Sequence, residues 1–240
     1  MPHRDNKNPV DHALKREVLQ AVYAHAASIY DTGFACVKGC SACCTQNVTM
    51  TSLEGDLILD YVKENDISIA AIETSKQQSS GNQAEYTTNQ FARACLNQQE
   101  LPENNSSWSF EPCIFLDHGV CTIYPVRPFG CRCFVSQSRC DPGDAAEISP
   151  ELLTISTILM QLIEHIDQGH QWGNMNDVLH EKINKNSKIT LIAQPLPGFL
   201  ISEPERPIVM PVIQELLQTP IRGKTLGETI KVNLRDMMNS

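Results

Sequence analysis

The chain has 240 residues, 41% of them apolar and 20% charged, and a formal net charge of −9. These values exclude wholesale disorder, and the length suffices to bury a real core. The acidic balance argues against a nucleic-acid footprint or an anionic-membrane surface, since both need clustered Lys and Arg; neither nucleic acid nor membrane is expected as a partner.

Residues 1–9 lack the continuous apolar stretch of a secretory signal. The most apolar window, 152–166, is too short to span a bilayer and carries Gln161 and Glu164. A cytoplasmic protein is therefore expected. In that reducing compartment ten cysteines read as metal ligands or redox thiols before structural disulfides.

Taken in order, residues 10–30 read as an amphipathic helix, with Val10, Leu14, Val18, Val22, His25 and Ile29 at spacings of three and four and Gly33 as its end. His25 on that stripe reads as a core histidine. Thr51-Ser52-Leu53-Glu54 is a capping-box pattern opening a helix to about Glu64. A shorter helix is expected over 67–76 and a polar loop over 77–83. Thr87 to Gln90 opens another helix, on which Phe91 and Cys95 stand one turn apart and Cys95 reads as a small core residue. The run 97–109 reads as an exposed loop. Residues 152–166 give the clearest helix of the C-terminal part, with Glu164 and His165 as its solvated face, and 175–184 a shorter one. Five prolines between 194 and 211 predict extended chain there and exclude a regular helix. A last helical piece is expected near Gly227.

Nine of the ten cysteines lie in two stretches. Wound as a helical turn, Cys36, Cys40, Cys43 and Cys44 fall within about one quadrant at roughly 3.6 residues per turn, poorly placed for disulfides and well placed to share a soft cation. The second stretch holds Cys113, Cys121, Cys131 and Cys133, with Cys140 seven residues on. Asp117-His118-Gly119 reads as a three-residue hairpin loop with His118 solvated; that register sets 115 opposite 121 and puts Cys113 and Cys121 on one face. Gly130 supplies the freedom to turn Cys131 toward them. Arg127, Arg132 and Arg139 face only Asp117 in this segment, which suits a four-thiolate centre of net charge about −2.

These spacings resemble the YkgJ-type cysteine-cluster family, described as a zinc- or iron-chelating domain. The resemblance is carried by Cys36, Cys40, Cys43 and Cys44, then Cys113, Phe115, Leu116, Gly119, Cys121, Ile123, Tyr124, Arg127, Pro128, Cys131 and Arg132. It covers roughly residues 36 to 133 and implies a thiolate metal site. A related cysteine domain occurs in longer, S-adenosylmethionine-dependent flagellin lysine methylases, which supplies an enzyme alternative; no glycine-rich strand-turn-helix for a nucleotide-like cofactor stands in this chain.

The expected architecture is mainly α, an irregular helical domain whose cysteine-rich metal-binding segment contains short β and turn pieces. Residues 1–148 are expected to form the cysteine-cluster domain with its N-terminal helix, and 149–240 a helical extension packed on it. The expected function is to hold zinc or an iron–sulfur cluster through Cys36, Cys40, Cys43, Cys44, Cys113, Cys121, Cys131, Cys133 and Cys140, with a protein partner, electron transfer or methylase-like catalysis as the open roles. One four-thiolate site with spare thiols and two sites recruiting Cys133 and Cys140 both fit the count.

Overall fold

The computed structural model describes residues 9–30, 33–70, 72, 84–101, 111–140, 145–184 and 190–233. The expected helix over 67–76 lies partly outside these residues, as does the loop 97–109; the loop 77–83 lies wholly outside them. The chain is mainly α. Its first helix, α1 (Pro9–Tyr30), buries Val18, Leu19, Val22, Tyr23 and Ala26, the i, i+4 stripe of an amphipathic helix. The strand β1 (Thr49–Thr51) runs directly into α2 (Ser52–Glu64), and α3 (Thr88–Leu96) follows. The cysteine-bearing middle holds the hairpin β2 (Leu116–Asp117) and β3 (Val120–Cys121), a 3₁₀ turn (Tyr124–Val126) and the one-turn helix α4 (Phe129–Arg132). Beyond it come α5 (Pro150–Ile166), β4 (Gln171–Asn174), α6 (Met175–Asn184), β5 (Leu191–Ile192), α7 (Arg206–Leu217), the hairpin β6 (Pro220–Ile221) and β7 (Lys224–Thr225), and α8 (Leu226–Ile230).

Helix α5 lies at the centre of the larger core. Its Ile155, Ile158, Leu159, Leu162, Ile163 and Ile166 pack with the α1 stripe, with Phe129 and Cys133, and with Val209, Ile213, Leu216 and Leu217 of α7. A second core joins Met50, Ile58 and Val62 to Phe115, Ile123, Met175, Val178 and Leu179. β1, β4 and β5 form an antiparallel sheet in that order, with Met50 opposite Gly173 and Trp172 opposite Leu191. Residues on the two sides of position 148 thus share both cores and a sheet. Among the described residues no helix is long and apolar enough to cross a membrane.

Three buried carboxylates join the helices by accepting hydrogen bonds from helix N-termini, where unpaired N–H groups and the helix dipole favour negative charge. Glu54 closes the capping box with Thr51 and also accepts from the Phe129 N–H, 2.8 Å, at the start of α4. Glu164 accepts from the Asn89 N–H of α3 at 2.8 Å and from the Gln194 N–H at 2.7 Å. Asp167 accepts from the Leu53 N–H of α2 at 2.8 Å. Burial pushes the Glu54 and Glu164 carboxyls above their ordinary range, and these donors partly offset that push.

Glu164 is therefore not on a solvated face: it is fully buried, because the helix it caps lies against it. His165 beside it is half-buried, donating from Nε2 to the Ile230 carbonyl and accepting at Nδ1 from the Leu196 N–H. The proline-rich stretch is corrected in the same way. Residues up to about 205 are irregular, but α7 begins at Arg206 and contains Pro211. Pro207 sits in its first turn, where no N–H is required. Interior Pro211 costs about 3 kcal/mol, which the burial of four α7 side chains at roughly 1.5–3 kcal/mol each outweighs. On α3 the buried residues are Asn89, Ala92 and Ala94, so Phe91 and Cys95 face outward. The expectation of a buried Cys95 fails because α3 packs on α5 through its small side chains.

Candidate metal centre

The first cysteine stretch folds as two consecutive turns, closed by Cys40 N–H to the Val37 carbonyl (2.9 Å) and Cys44 N–H to the Ser41 carbonyl (3.1 Å). The single helical turn expected there is not formed. Gly39 stands at φ +96°, a backbone conformation that costs a side-chain-bearing residue, so the first turn depends on glycine and interrupts any helix.

The hairpin that follows is also tighter than the sequence suggested. Asp117 pairs with Val120, leaving a two-residue loop in which His118 and Gly119 both have positive φ, 46° and 80°. This is the primed turn that suits the twist of paired strands. Such a register alone would set Cys113 and Cys121 on opposite faces. The strand, however, starts only at Leu116, whose N–H bonds back to the Cys113 carbonyl at 3.0 Å. That turn takes Cys113 out of the strand pattern and back toward Cys121. The shared face survives for a reason other than the one expected.

Cys131 is placed by α4. Its neighbour Gly130 has no positive φ; a Cβ there would stand 3.0 Å from Val48 Cγ1 and 3.2 Å from the Thr49 carbonyl. Gly130 thus serves close packing of α4 on β1 and not the backbone freedom first expected.

These segments surround one cavity of about 380 Å³, lined by Cys36, Cys40, Cys43, Cys44, Cys113, Cys121 and Cys131. All seven cysteines of the family resemblance meet there. Cys133 does not: it is buried in the larger core, its thiol 3.5 Å from the Gly130 carbonyl. Cys140 lies outside the lining but within electrostatic reach of Cys36. His25 points elsewhere, to the Val212 carbonyl, and His118 is exposed. Tyr23, Tyr30 and Phe134 also line the cavity, and the sequence reading singled out none of them. Tyr23 was legible in principle, since it continues the α1 stripe next to Val22.

Two arginines line the cavity without an ion pair among the described residues. Arg127 stacks on Tyr124 with its guanidinium carbon 3.7 Å from the ring centre and donates to the Tyr124 carbonyl. Arg132 stacks on Tyr23 at 4.2 Å and donates to the carbonyls of Arg127 and Pro125. Stacking and backbone acceptors hold both in place; the charge of Arg127 acts on the Cys121 and Cys131 sulfurs, while that of Arg132 acts on Tyr23 and Glu54.

Burial pushes the thiols of Cys36, Cys113, Cys121 and Cys131 up, and that of Cys133 up to about 12. Backbone N–H groups of Ser136, Phe115 and Ile123 partly offset this at Cys36, Cys113 and Cys121. Cys43 is the exception: Cys44 donates its S–H to the Cys43 sulfur and lowers it to about 6, while Cys44 itself is raised.

The donor set is soft, supplied with N–H groups and cations, and fits a thiophilic metal or cluster. Its spacing is more selective. Among the described residues no three His, Cys, Asp or Glu side chains are grouped so as to hold one metal ion. Compared with family models, with curated proteins and with solved structures, the chain matches none.

Proposed function

We propose that this chain holds an iron–sulfur centre in the thiol-lined cavity, ligated by cysteine thiolates, and that it belongs with the YkgJ-type cysteine-cluster proteins. The observation that carries the reading is that seven cysteines line one cavity of about 380 Å³. Four thiolates around zinc, at bonds of about 2.3 Å, stand roughly 3.8 Å from one another and leave no open space between them. An iron–sulfur cluster puts its own iron and sulfide between the thiolates, so its ligands stand farther apart around a larger volume. A cavity of about 380 Å³ between the thiols offers the room that a cluster takes and a single zinc ion does not.

Arg127 opposes the negative charge of the Cys121 and Cys131 thiolates, and the N–H groups of Phe115 and Ile123 stabilise two sulfurs; together these set how easily a bound centre is reduced. The centre itself supplies one-electron chemistry. Exposed Cys40 and Cys43 leave the cavity open to solvent on one side, which suits electron exchange with a protein partner. Protein purified without oxygen should be brown, with broad visible absorption that bleaches on reduction and an electron paramagnetic resonance signal in the reduced state. A colourless protein that carries zinc and no sulfide contradicts the cluster form.

A further inference from the structure

We propose that the part of the cavity walled by α1 is a binding compartment of its own, and that it takes a small organic carboxylate with an apolar body. This rests on the metal reading above only for what fills the thiol side, and it adds a ligand class to the same site.

The thiols wall only part of the cavity. Its volume of about 380 Å³ falls within the roughly 300–1,000 Å³ of small-molecule sites, which are mostly apolar with a few polar groups that fix orientation. Helix α1 lines it with Tyr23, Ala26, Ala27 and Tyr30, the i, i+3, i+4 and i+7 positions of one helix face. Rings stand at the two ends of this face and methyl groups between them, which leaves a slot. Neither phenol oxygen is spare: Tyr23 donates to Glu54 at 2.7 Å, and Tyr30 shares a hydrogen bond with Ser156 at 2.7 Å. The slot is therefore apolar and offers no metal ligand. A centre bonded to cysteine sulfurs stays against the thiols and leaves the slot to another occupant.

Arg127 sets the charge of that occupant. Among the described residues no Asp or Glu lines the cavity, whereas Arg127 and Arg132 do. Arg132 is engaged: its Nε and Nη2 donate to the carbonyls of Arg127 and Pro125 at 2.9 and 2.7 Å, and its guanidinium lies on the Tyr23 ring. Arg127 donates only to the Tyr124 carbonyl among the described residues, at 2.9 Å, and stacking on Tyr124 fixes its plane. Its remaining N–H groups match a carboxylate, which a fixed guanidinium holds in bidentate fashion. A lone free cation beside thiolates suits the single charge of a carboxylate better than the double charge of a phosphate. Through Arg132, Arg127 is tied to the Tyr23 end of the slot.

The mouth suits the apolar body. Val37 and Phe134 line the cavity and are nevertheless 65% and 56% exposed. The Ala35 N–H bond to the Ser136 carbonyl, 2.8 Å, holds their two segments together. Exposed apolar side chains gathered at a cavity mark a place where ligand enters.

The test is calorimetric titration of the full-length protein, purified without oxygen, with phenylacetate as the probe. Acetate carries the charge without the body, and phenylacetamide the body without the charge. Phenylacetate should bind saturably, and each control at least about tenfold more weakly. Arg127→Gln and Ala27→Leu should each weaken phenylacetate at least about tenfold, the first by removing the charge and the second by filling the slot. Ala27→Leu leaves every thiol in place, so it decides the matter if Arg127→Gln loses metal or fails to fold. Phe91→Ser removes an exposed ring outside the cavity and should bind as wild type does. No saturable heat up to about 10 mM phenylacetate, equal binding of either control, or unchanged binding in Ala27→Leu overturns the compartment. If iron and sulfide are present in that case, the metal reading stands. Metal-free protein that binds phenylacetate, and loses it in both variants, overturns the metal reading and leaves the compartment.

Discussion

Replacing Glu54 with alanine should lower the folding free energy by about 4 kcal/mol or more, a large part of the roughly 5–15 kcal/mol that holds a typical domain together. The carboxylate is buried and accepts from four donors: Tyr23 Oη at 2.7 Å, Phe129 N at 2.8 Å, Thr51 N at 2.8 Å and Thr51 Oγ1 at 3.1 Å. Removing it leaves two backbone N–H groups and the Tyr23 hydroxyl facing no acceptor in the interior, and it opens a void. Glu54→Gln keeps the volume but turns an N–H₂ toward two donors, so it should cost about 3 kcal/mol. Because Phe129 starts the turn that carries Cys131, both variants should also lose metal. Urea unfolding of the two variants measures the cost; a change under about 1 kcal/mol in Glu54→Ala would mean that this network does not hold the helices together.

Removal of the bound centre should have an effect at least as large, concentrated in one part of the chain. The second cysteine stretch is partly anchored without metal, since Phe115, Ile123, Phe129 and Val135 are buried. Residues 33–47 are tied to the rest of the fold only by hydrogen bonds near their ends, such as Ala35 to Ser136 and Cys113 to Cys44, and no side chain among them is buried. Ligation of four cysteines there is then the main term that orders the two turns, as metal binding is folding energy wherever a packed core is missing. Stripping the metal with a chelator should raise the rate of tryptic cleavage after exposed Lys38 by about a hundredfold or more, with slower loss of protection elsewhere. Equal cleavage rates at Lys38 with and without metal would contradict this.

What the sequence made legible was local. The capping box at Thr51 is present as read, since both partners lie within three residues of each other, and the helix opened by Thr87 stands where expected, closed by a capping box of its own. The α1 stripe and the last helix also stand where expected. Contacts across the fold were not legible. Glu164 interrupts an apolar helix in a way that reads as solvent, and only the approach of α3 and the 194 segment makes it an internal cap. Pro211 breaks the rule for helix interiors because the apolar face of α7 has a core to fill. Phe91 outranks Ala92 by hydrophobicity, yet the small residue faces α5, where the helices approach too closely for a ring.

The candidate site divides in the same way. The seven cysteines that line the cavity were marked by fixed spacings in sequence. Cys133 and Cys140 carried equal signals there, and only the course of the chain after α4 separates a core thiol from one beside Cys36. The turns were misjudged because one residue more or less in a hairpin loop changes the register of everything beyond it.

The central claim, that this chain holds an iron–sulfur centre on its clustered cysteines, is tested most directly by elemental analysis of protein purified without oxygen. Iron and acid-labile sulfide in equal amounts, with at least one cluster per chain and little zinc, is the expected result. Folded protein without iron and sulfide above background, with or without zinc, would contradict the account.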